Sequence, residues 1–283
     1  MASVVSQTIW EEYRFSGERG LPIYFQAWKP PVLTRGVLAI SHGLGEHGGR
    51  YGYLAESLVE RGYAVYALDH RGHGRSQGQR GYTSAWSDLR EDLRTFLKRV
   101  WEMEPGQSTF LMGHSLGGLI ALEYALHYPD QLRGVIASAP AMVSTAIPPS
   151  KLLLARILSR VYPGYTANTG LDSNGISSLP EEVQRYLDDP LVHDLGTARL
   201  SIEVAKAQKY TMEAAPNFTL PLLIIHGGAD HLIPPEASRA FYERVANPDK
   251  QYILYPDIYH ETHNDRLRQQ VFSDLDRWIQ RHL

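Results

Sequence analysis

The residues best suited to chemistry lie in Thr109-Phe110-Leu111-Met112-Gly113-His114-Ser115-Leu116-Gly117-Gly118-Leu119. An apolar, strand-like run leads into Gly-X-Ser-X-Gly, and a helix-forming run follows. A sharp strand-to-helix turn at this place puts Ser115 in strained backbone geometry, and side chains at 113 and 117 would clash. The hydroxyl is thereby presented above the turn, with the first amides of the following helix aimed at it. That setting suits a nucleophile in acyl transfer. A Ser hydroxyl attacks only when a base removes its proton, and the base needs an acid to orient it.

Two downstream segments offer those partners. The apolar run 222–226 ends in Gly227-Gly228-Ala229-Asp230, and the run 251–255 ends in Pro256-Asp257-Ile258-Tyr259-His260. Asp230 and His260 thus follow Ser115 in the chain order nucleophile, acid, base. A turn or helix-cap role is the alternative to the acid role of Asp230, which is preferred. His263 is the rival of His260, which is preferred, and Asp257 is a weaker acid candidate because it is too close in sequence to reach behind His260. Donors for the oxyanion are expected from the backbone amides of Leu116 and of Leu44, the latter in Ser41-His42-Gly43-Leu44-Gly45-Glu46-His47. The alternative there is an ordinary Gly-rich turn. Asp69-His70-Arg71-Gly72-His73-Gly74-Arg75-Ser76 invites a metal-site reading. Its spacing is unconvincing, so a turn-rich loop with local Arg–Asp pairing is expected instead, with no metal and no cofactor. His127 and His193 read as surface or capping residues.

These positions must be held by a scaffold, and the hydrophobic pattern describes one. Residues 8–15 and 22–28 read as an antiparallel hairpin turning at Ser16-Gly17. Apolar runs at 36–41, 64–68, 109–112 and 132–138 alternate with helical patterns at 53–61, 88–104 and 116–127, broken by Gly62, Pro105-Gly106 and Pro129. Strands separated by helices imply a mostly parallel sheet flanked by helices on both faces. Between 141 and 216 the rhythm stops. Helical pieces there are punctuated by Pro148-Pro149, Pro163-Gly164, Pro180 and Pro190. An insertion of about 75 positions between two strands is too long for an ordinary loop and is usually functional. The organisation expected is one α/β core from 1–140 and 217–283, interrupted by a helical cap at 141–216, with a closing helix near 265–280.

Composition narrows the classes. The 283 residues are 43% apolar and 21% charged, with a formal net charge of −3, so no general attraction to nucleic acid or acidic membranes is implied. The absence of cysteine excludes disulfides, thiolate nucleophiles and Cys-based zinc sites. Residues 1–13 lack the basic and apolar regions of a secretory signal. No run approaches the roughly 18 apolar residues of a membrane span, since Leu152-Leu153-Leu154-Ala155 is broken at Arg156. A soluble, cytoplasmic protein is expected. Within the insertion, Leu152, Leu153, Leu154, Ile157, Leu158 and Val161 share one face, with Lys151, Arg156 and Arg160 elsewhere. Such a face suits transient, peripheral contact with a lipid surface. It equally suits packing on the core or lining a pocket, and the readings are compatible.

Several of these motifs together resemble the monoacylglycerol lipases of the α/β-hydrolase fold, including the mammalian enzyme and bacterial lysophospholipase-like relatives. The resemblance is carried by His42-Gly43-Leu44-Gly45-Glu46-His47 with Gly49-Arg50-Tyr51, by the 69–76 loop and the Ser115 turn, and by Tyr186-Leu187-Asp188-Asp189-Pro190 and Tyr259-His260. It spans most of the chain, and the 43–51 stretch is its most specific part. It implies a serine esterase cleaving single-chain glycerides to fatty acid and glycerol, with the insertion as a lid over an acyl tunnel. It also implies that Glu46, Arg50, His114, Tyr186 and His263 hold the glycerol head. A Glu46–Arg50 pair is the structural reading of two of them. The chain departs from the mammalian pattern at Leu44, where that enzyme has a small residue, and at Leu116, which replaces a Met. Only backbone amides act at both places, so the mechanism is unaffected. The rival readings are a broader carboxylesterase or lysophospholipase using the same residues, and a non-catalytic ligand-binding member of the fold. The sequence carries no signal of oligomeric state.

Overall fold

The computed structural model describes residues 8–142 and 156–283. Eight strands form one sheet: β1 (Ile9–Ser16), β2 (Pro22–Lys29), β3 (Gly36–Ser41), β4 (Tyr63–Leu68), β5 (Thr109–His114), β6 (Gly134–Ser138), β9 (Leu222–Gly227) and β10 (Lys250–Tyr255). Their order across the sheet is β1-β2-β4-β3-β5-β6-β9-β10. β1 and β2 pair as the expected antiparallel hairpin, β2 runs antiparallel to β4, and every other pairing is parallel. This is the mostly parallel architecture of the α/β hydrolases. The remaining two strands, β7 (Thr166–Asn168) and β8 (Leu195–Thr197), form a separate antiparallel pair within the insertion. At three residues each, and with no apolar run, they leave no periodic signal in the sequence.

The central strands are apolar throughout because helices cover both faces. Side chains alternate between two cores. Val37, Ala39, Leu111, Val135, Ala137, Leu222 and Ile224 face α2 (Trp86–Met103), α3 (Leu116–His127) and α6 (Pro235–Arg244). Leu38, Ile40, Phe110, Met112, Ile136, Leu223 and Ile225 face α1 (Gly52–Val59) and α7 (Arg268–His282). The helices present matching stripes. In α2 the buried Leu89, Leu93, Phe96, Leu97 and Val100 recur at three- and four-residue steps. α7 does the same with Val271, Phe272, Leu275, Trp278 and Ile279. α3 has no polar stripe: from Leu116 to Ala125 every residue is buried, between the sheet on one side and neighbouring helices on the other.

The insertion is rooted in this core. Its last helix, α5 (Ala198–Ala214), packs on α3 and α2, and Leu200 and Ala207 belong to the main apolar cluster. Its middle is tied down as well. Ser178 N–H donates to Asp265 at 2.9 Å, Arg268 pairs with Glu182 of α4 (Pro180–Asp188) at 2.9 Å, and His47 meets Asp189 at 2.9 Å. Within the apolar face noted above, Lys151 to Leu154 lie outside the described residues. Residues 156–161 are helical, with Ile157 and Val161 exposed. Among the described residues, no helix is long and apolar enough to cross a membrane.

Close approach of α3 to the strand ends is what shapes the carboxyl edge of the sheet. A Cβ at Gly117 would lie 2.1 Å from the Ser41 carbonyl oxygen, and one at Gly113 would lie 2.2 Å from the Gly117 carbonyl oxygen. Both obstacles are backbone, which cannot move aside without shifting a strand. Gly117→Ala is therefore expected to cost about 3 kcal/mol of stability, the upper end of typical overpacking. Urea denaturation measures it, and a loss below about 0.5 kcal/mol, the range of neutral surface changes, would show that α3 can slide.

Candidate active site

Ser115 sits between β5 and α3 with φ 52° and ψ −118°, a left-handed φ that a non-glycine residue adopts only under constraint. Three backbone hydrogen bonds impose it. Ser115 N–H donates to the Ser138 carbonyl at 3.0 Å, and the Ser115 carbonyl accepts from Leu119 at 3.1 Å and Ala141 at 2.9 Å. The turn is thus pinned to β6 as well as to its own helix. Leu116 is the first helical residue, so its N–H has no intrahelical acceptor. The Leu44 N–H, in the loop after β3, makes no hydrogen bond among the described residues. Leu44, Ser115 and His260 line one cavity.

Asp230 follows β9 and His260 follows β10, so both lie at the carboxyl ends of strands, as Ser115 does. His260 Nδ1 is 2.6 Å from Asp230 Oδ2. A carboxylate only accepts, so the proton is on Nδ1 and Nε2 is left as the base. Asp230 is held by more than this contact. Its Oδ1 accepts from the Leu232 and Ile233 amides at 2.8 and 2.9 Å, and its Oδ2 also accepts from His226 Nε2 at 3.1 Å. Burial alone would raise the Asp230 pKa, but the His260 charge and these donors outweigh it and keep the carboxyl below its usual range. For His260, burial pulls the pKa down, while the Asp230 charge and hydrogen bond pull it up more strongly, so the net shift is upward. No hydrogen bond joins Ser115 to His260, an open geometry common at such sites before substrate tightens them.

A second buried cluster adjoins this one. Arg50 gives Nη1 and Nη2 to the two Glu261 carboxylate oxygens at 2.5 and 2.7 Å, and Nη1 also to Glu46 Oε2 at 2.9 Å. Its guanidinium stacks on Tyr186, 4.7 Å from the ring centre. Glu46 Oε1 accepts from Gly43 N–H at 2.6 Å and Tyr51 Oη at 2.9 Å. Two buried carboxylates share one cation, and they divide it unequally. Burial raises both pKa values, but Arg50 overcomes it at Glu261, whose pKa falls to about 2. At Glu46 burial prevails, so its pKa rises.

The structure sorts the sequence candidates by position. Glu46, His114 and Tyr186 line the cavity with Ser115. Arg50 and His263 lie one layer back. Arg50 opens instead on a neighbouring polar cavity with Glu182 and Arg185. His263 stacks on Tyr51 at 4.6 Å and meets His114 edge-on at 5.0 Å, and burial lowers its pKa to about 4. It is thus a neutral neighbour of His114 and is not within reach of Asp230. Asp257 points to solvent, its side chain 84% exposed, and does not approach His260. His127 lies on the surface end of α3. His193 differs from expectation: it lines the cavity, held by its own N–H on the Gly45 carbonyl.

The 69–76 loop also differs in detail. Asp69 accepts from the backbone of Gly48 and Arg75, while Arg71 pairs with Asp88 and Asp92 of α2 rather than inside the loop. Among the described residues, no three metal-binding side chains converge. The sequence carries only a weak signal for His226, which lies four positions before Asp230 in β9. Glu261 meets Arg50 across 211 positions, with no local signal.

The pKa directions set a pH profile. Protonated His260 cannot accept the Ser115 proton, so kcat/KM falls as pH drops through a pKa above 6.5. In Asp230→Asn the strongest raising charge is gone, and burial is opposed only by the weaker pull of Glu261 and Glu46. The limb moves to lower pH, and the rate falls by about 10⁴. A pH series on a soluble aryl ester checks both. An unmoved limb in Asp230→Asn would sink the pairing.

Comparison with known proteins places this geometry among relatives. The family model described as serine aminopeptidase, S33 matches residues 33–267. A monoacylglycerol lipase of Mycolicibacterium smegmatis is 36% identical over 277 residues, covering 96% of this chain and 98% of that one. Human monoglyceride lipase is 31% identical, covering 92% and 87%. The crystal structure of Paleococcus ferrophilus monoacylglycerol lipase superimposes with a TM-score of 0.81 at 33% identity, covering 98% of this chain and 100% of that one.

Proposed function

Because this chain belongs to the serine aminopeptidase, S33 family and, within it, to the monoacylglycerol lipases, we propose that it hydrolyses monoacylglycerols to fatty acid and glycerol. The observation that carries the mechanism is the 2.6 Å contact of His260 with Asp230, which frees Nε2 toward the cavity that Ser115 lines. His260 takes the Ser115 proton, and the hydroxyl oxygen attacks the ester carbonyl. The Leu116 and Leu44 amides donate to the oxyanion, a charge that exists only after attack, so their contribution falls on the transition state. Collapse of the tetrahedral intermediate expels the glycerol oxygen, which takes the proton from His260 and leaves an ester on Ser115. Water, deprotonated by the same His260, repeats the sequence and releases the fatty acid. No step requires a cofactor.

The cavity walls suit a single-chain ester. Its lining joins polar Glu46, Tyr186 and His114 to apolar Leu44, Leu171, Ile176, Leu232 and Ile233. The glycerol head meets the polar residues directly. Arg50 and His263 support it from behind, Arg50 through Glu46 and Glu261. The 141–216 insertion acts as a cap rooted on α3 through α5. Exposed Ile157, Val161 and Tyr162, flanked by exposed Arg156 and Arg160, support transient contact of that cap with a lipid surface.

Ser115→Ala is expected to lower kcat for monooleoylglycerol by about 10⁴ to 10⁶. Retention of most activity would remove Ser115 from the mechanism. Rates on mono-, di- and trioleoylglycerol test the substrate class, and a preference for the diacyl or triacyl ester would overturn it.

A further inference from the structure

The charge of the cavity decides which head groups it accepts. Glu46, Asp172, Asp194 and Glu261 line it, and no Lys or Arg does among the described residues. The cation bonded to the carboxylates of the wall, Glu46 and Glu261, is Arg50. Its side chain is 8% exposed, and both of its terminal nitrogens are taken by Glu261, one of them also by Glu46. The face of the guanidinium is covered by Tyr186. Recognition of a phosphate needs a cation with free N–H donors, preferably a guanidinium in bidentate contact. Here that fork exists, but a carboxylate of the protein occupies it.

We infer that Glu261 is a specificity-determining residue: by occupying Arg50, it leaves the cavity no free cation among the described residues, so an uncharged polyol head is accepted and a phosphorylated one is refused. The refusal has two parts. An entering phosphate meets carboxylates at short range inside the cavity, where like charges repel. It would also have to displace Glu261 from Arg50, stranding a buried carboxylate without its partner. A glycerol hydroxyl meets neither obstacle, since it donates to Glu46 or Glu261 without removing Arg50. Specificity is thus built partly by exclusion. This inference rests on the monoacylglycerol reading above and separates that substrate from lysophospholipids with the same acyl chain.

The test compares monooleoylglycerol with oleoyl lysophosphatidate in the wild type, Glu261→Gln and the double variant Glu261→Gln with Arg50→Gln. Gln keeps the volume and the acceptor for Asn264, while removing the negative charge that occupies Arg50. The ratio of kcat/KM for lysophosphatidate to that for monooleoylglycerol is expected to rise about tenfold or more in Glu261→Gln, and to fall back in the double variant. A ratio unchanged in Glu261→Gln, or a rise that survives loss of Arg50, overturns the inference. A second measurement uses the wild type alone, so it stands whether or not the variants fold. Inhibition by 1-O-dodecylglycerol is expected to be about tenfold stronger or more than by its 3-phosphate, and equal inhibition would overturn the inference. Absence of monooleoylglycerol hydrolysis in the wild type would instead refute the proposed function, which is a separable outcome.

Discussion

The close seating of α3 on the ends of β3 and β5 is the constraint on which the site depends. Gly117 lies against the Ser41 carbonyl with no room for a side chain, and Gly113 lies against Gly117. That contact puts the first turn of α3 directly behind Ser115. It also brings the loop after β3, which carries Leu44 and Glu46, beside the same turn. The strained φ of Ser115 is the local cost of a turn this sharp, of order 1–3 kcal/mol. Bonds to Ser138, Leu119 and Ala141 hold it there. A hydroxyl fixed this way is pre-positioned, and the entropy of orienting it is met during folding.

Around that fixed point, burial forces charges to pair, and the pairing gives each group its chemical character. Asp230 is surrounded by two imidazole nitrogens and two amides, so it stays ionised and holds His260 in one tautomer. Glu46 and Glu261 compete for Arg50 in the same way on the other side of the cavity. His114 and His263, which hydrogen-bond to no carboxylate, have depressed pKa values because desolvation is the largest influence on each, and at His263 the Glu261 charge opposes it only in part. His260, with Asp230 against it, shifts the other way. The difference between a base and a neutral wall residue therefore comes from the neighbour, not from the residue type.

The insertion divides in a similar manner. α5 shares the main core with α3, and the segment carrying Tyr186 and Asp189 is fastened to the core by Asp265, Arg268 and His47. Tyr186 and His193 therefore form part of the cavity wall as firmly as residues of the sheet do. Several of the apolar residues left exposed lie earlier in the insertion, at Ile157, Val161, Tyr162 and Tyr165. One insertion thus combines a wall, whose contacts are polar and specific, with a face that no other described residue covers.

What the sequence determined by itself was whatever repeats locally or lies close along the chain. Apolar runs bounded by Gly and Pro gave the strands, three- and four-residue spacing gave the helices, and Gly113-His114-Ser115-Leu116-Gly117 gave the elbow. Asp230 and His260 were legible because each follows an apolar strand, and parallel strands all end on one edge. The short polar pair β7 and β8 had no period to read. The layer in which Arg50 and His263 sit, the cavity position of His193, and the contacts of His226 and Glu261 were decided only by the tertiary structure. Arg50 and Glu261 are 211 positions apart, and each is an ordinary charged residue in its own segment. They become a pair because the sheet brings the loop after β3 beside the loop after β10, and because a buried guanidinium must find a carboxylate there.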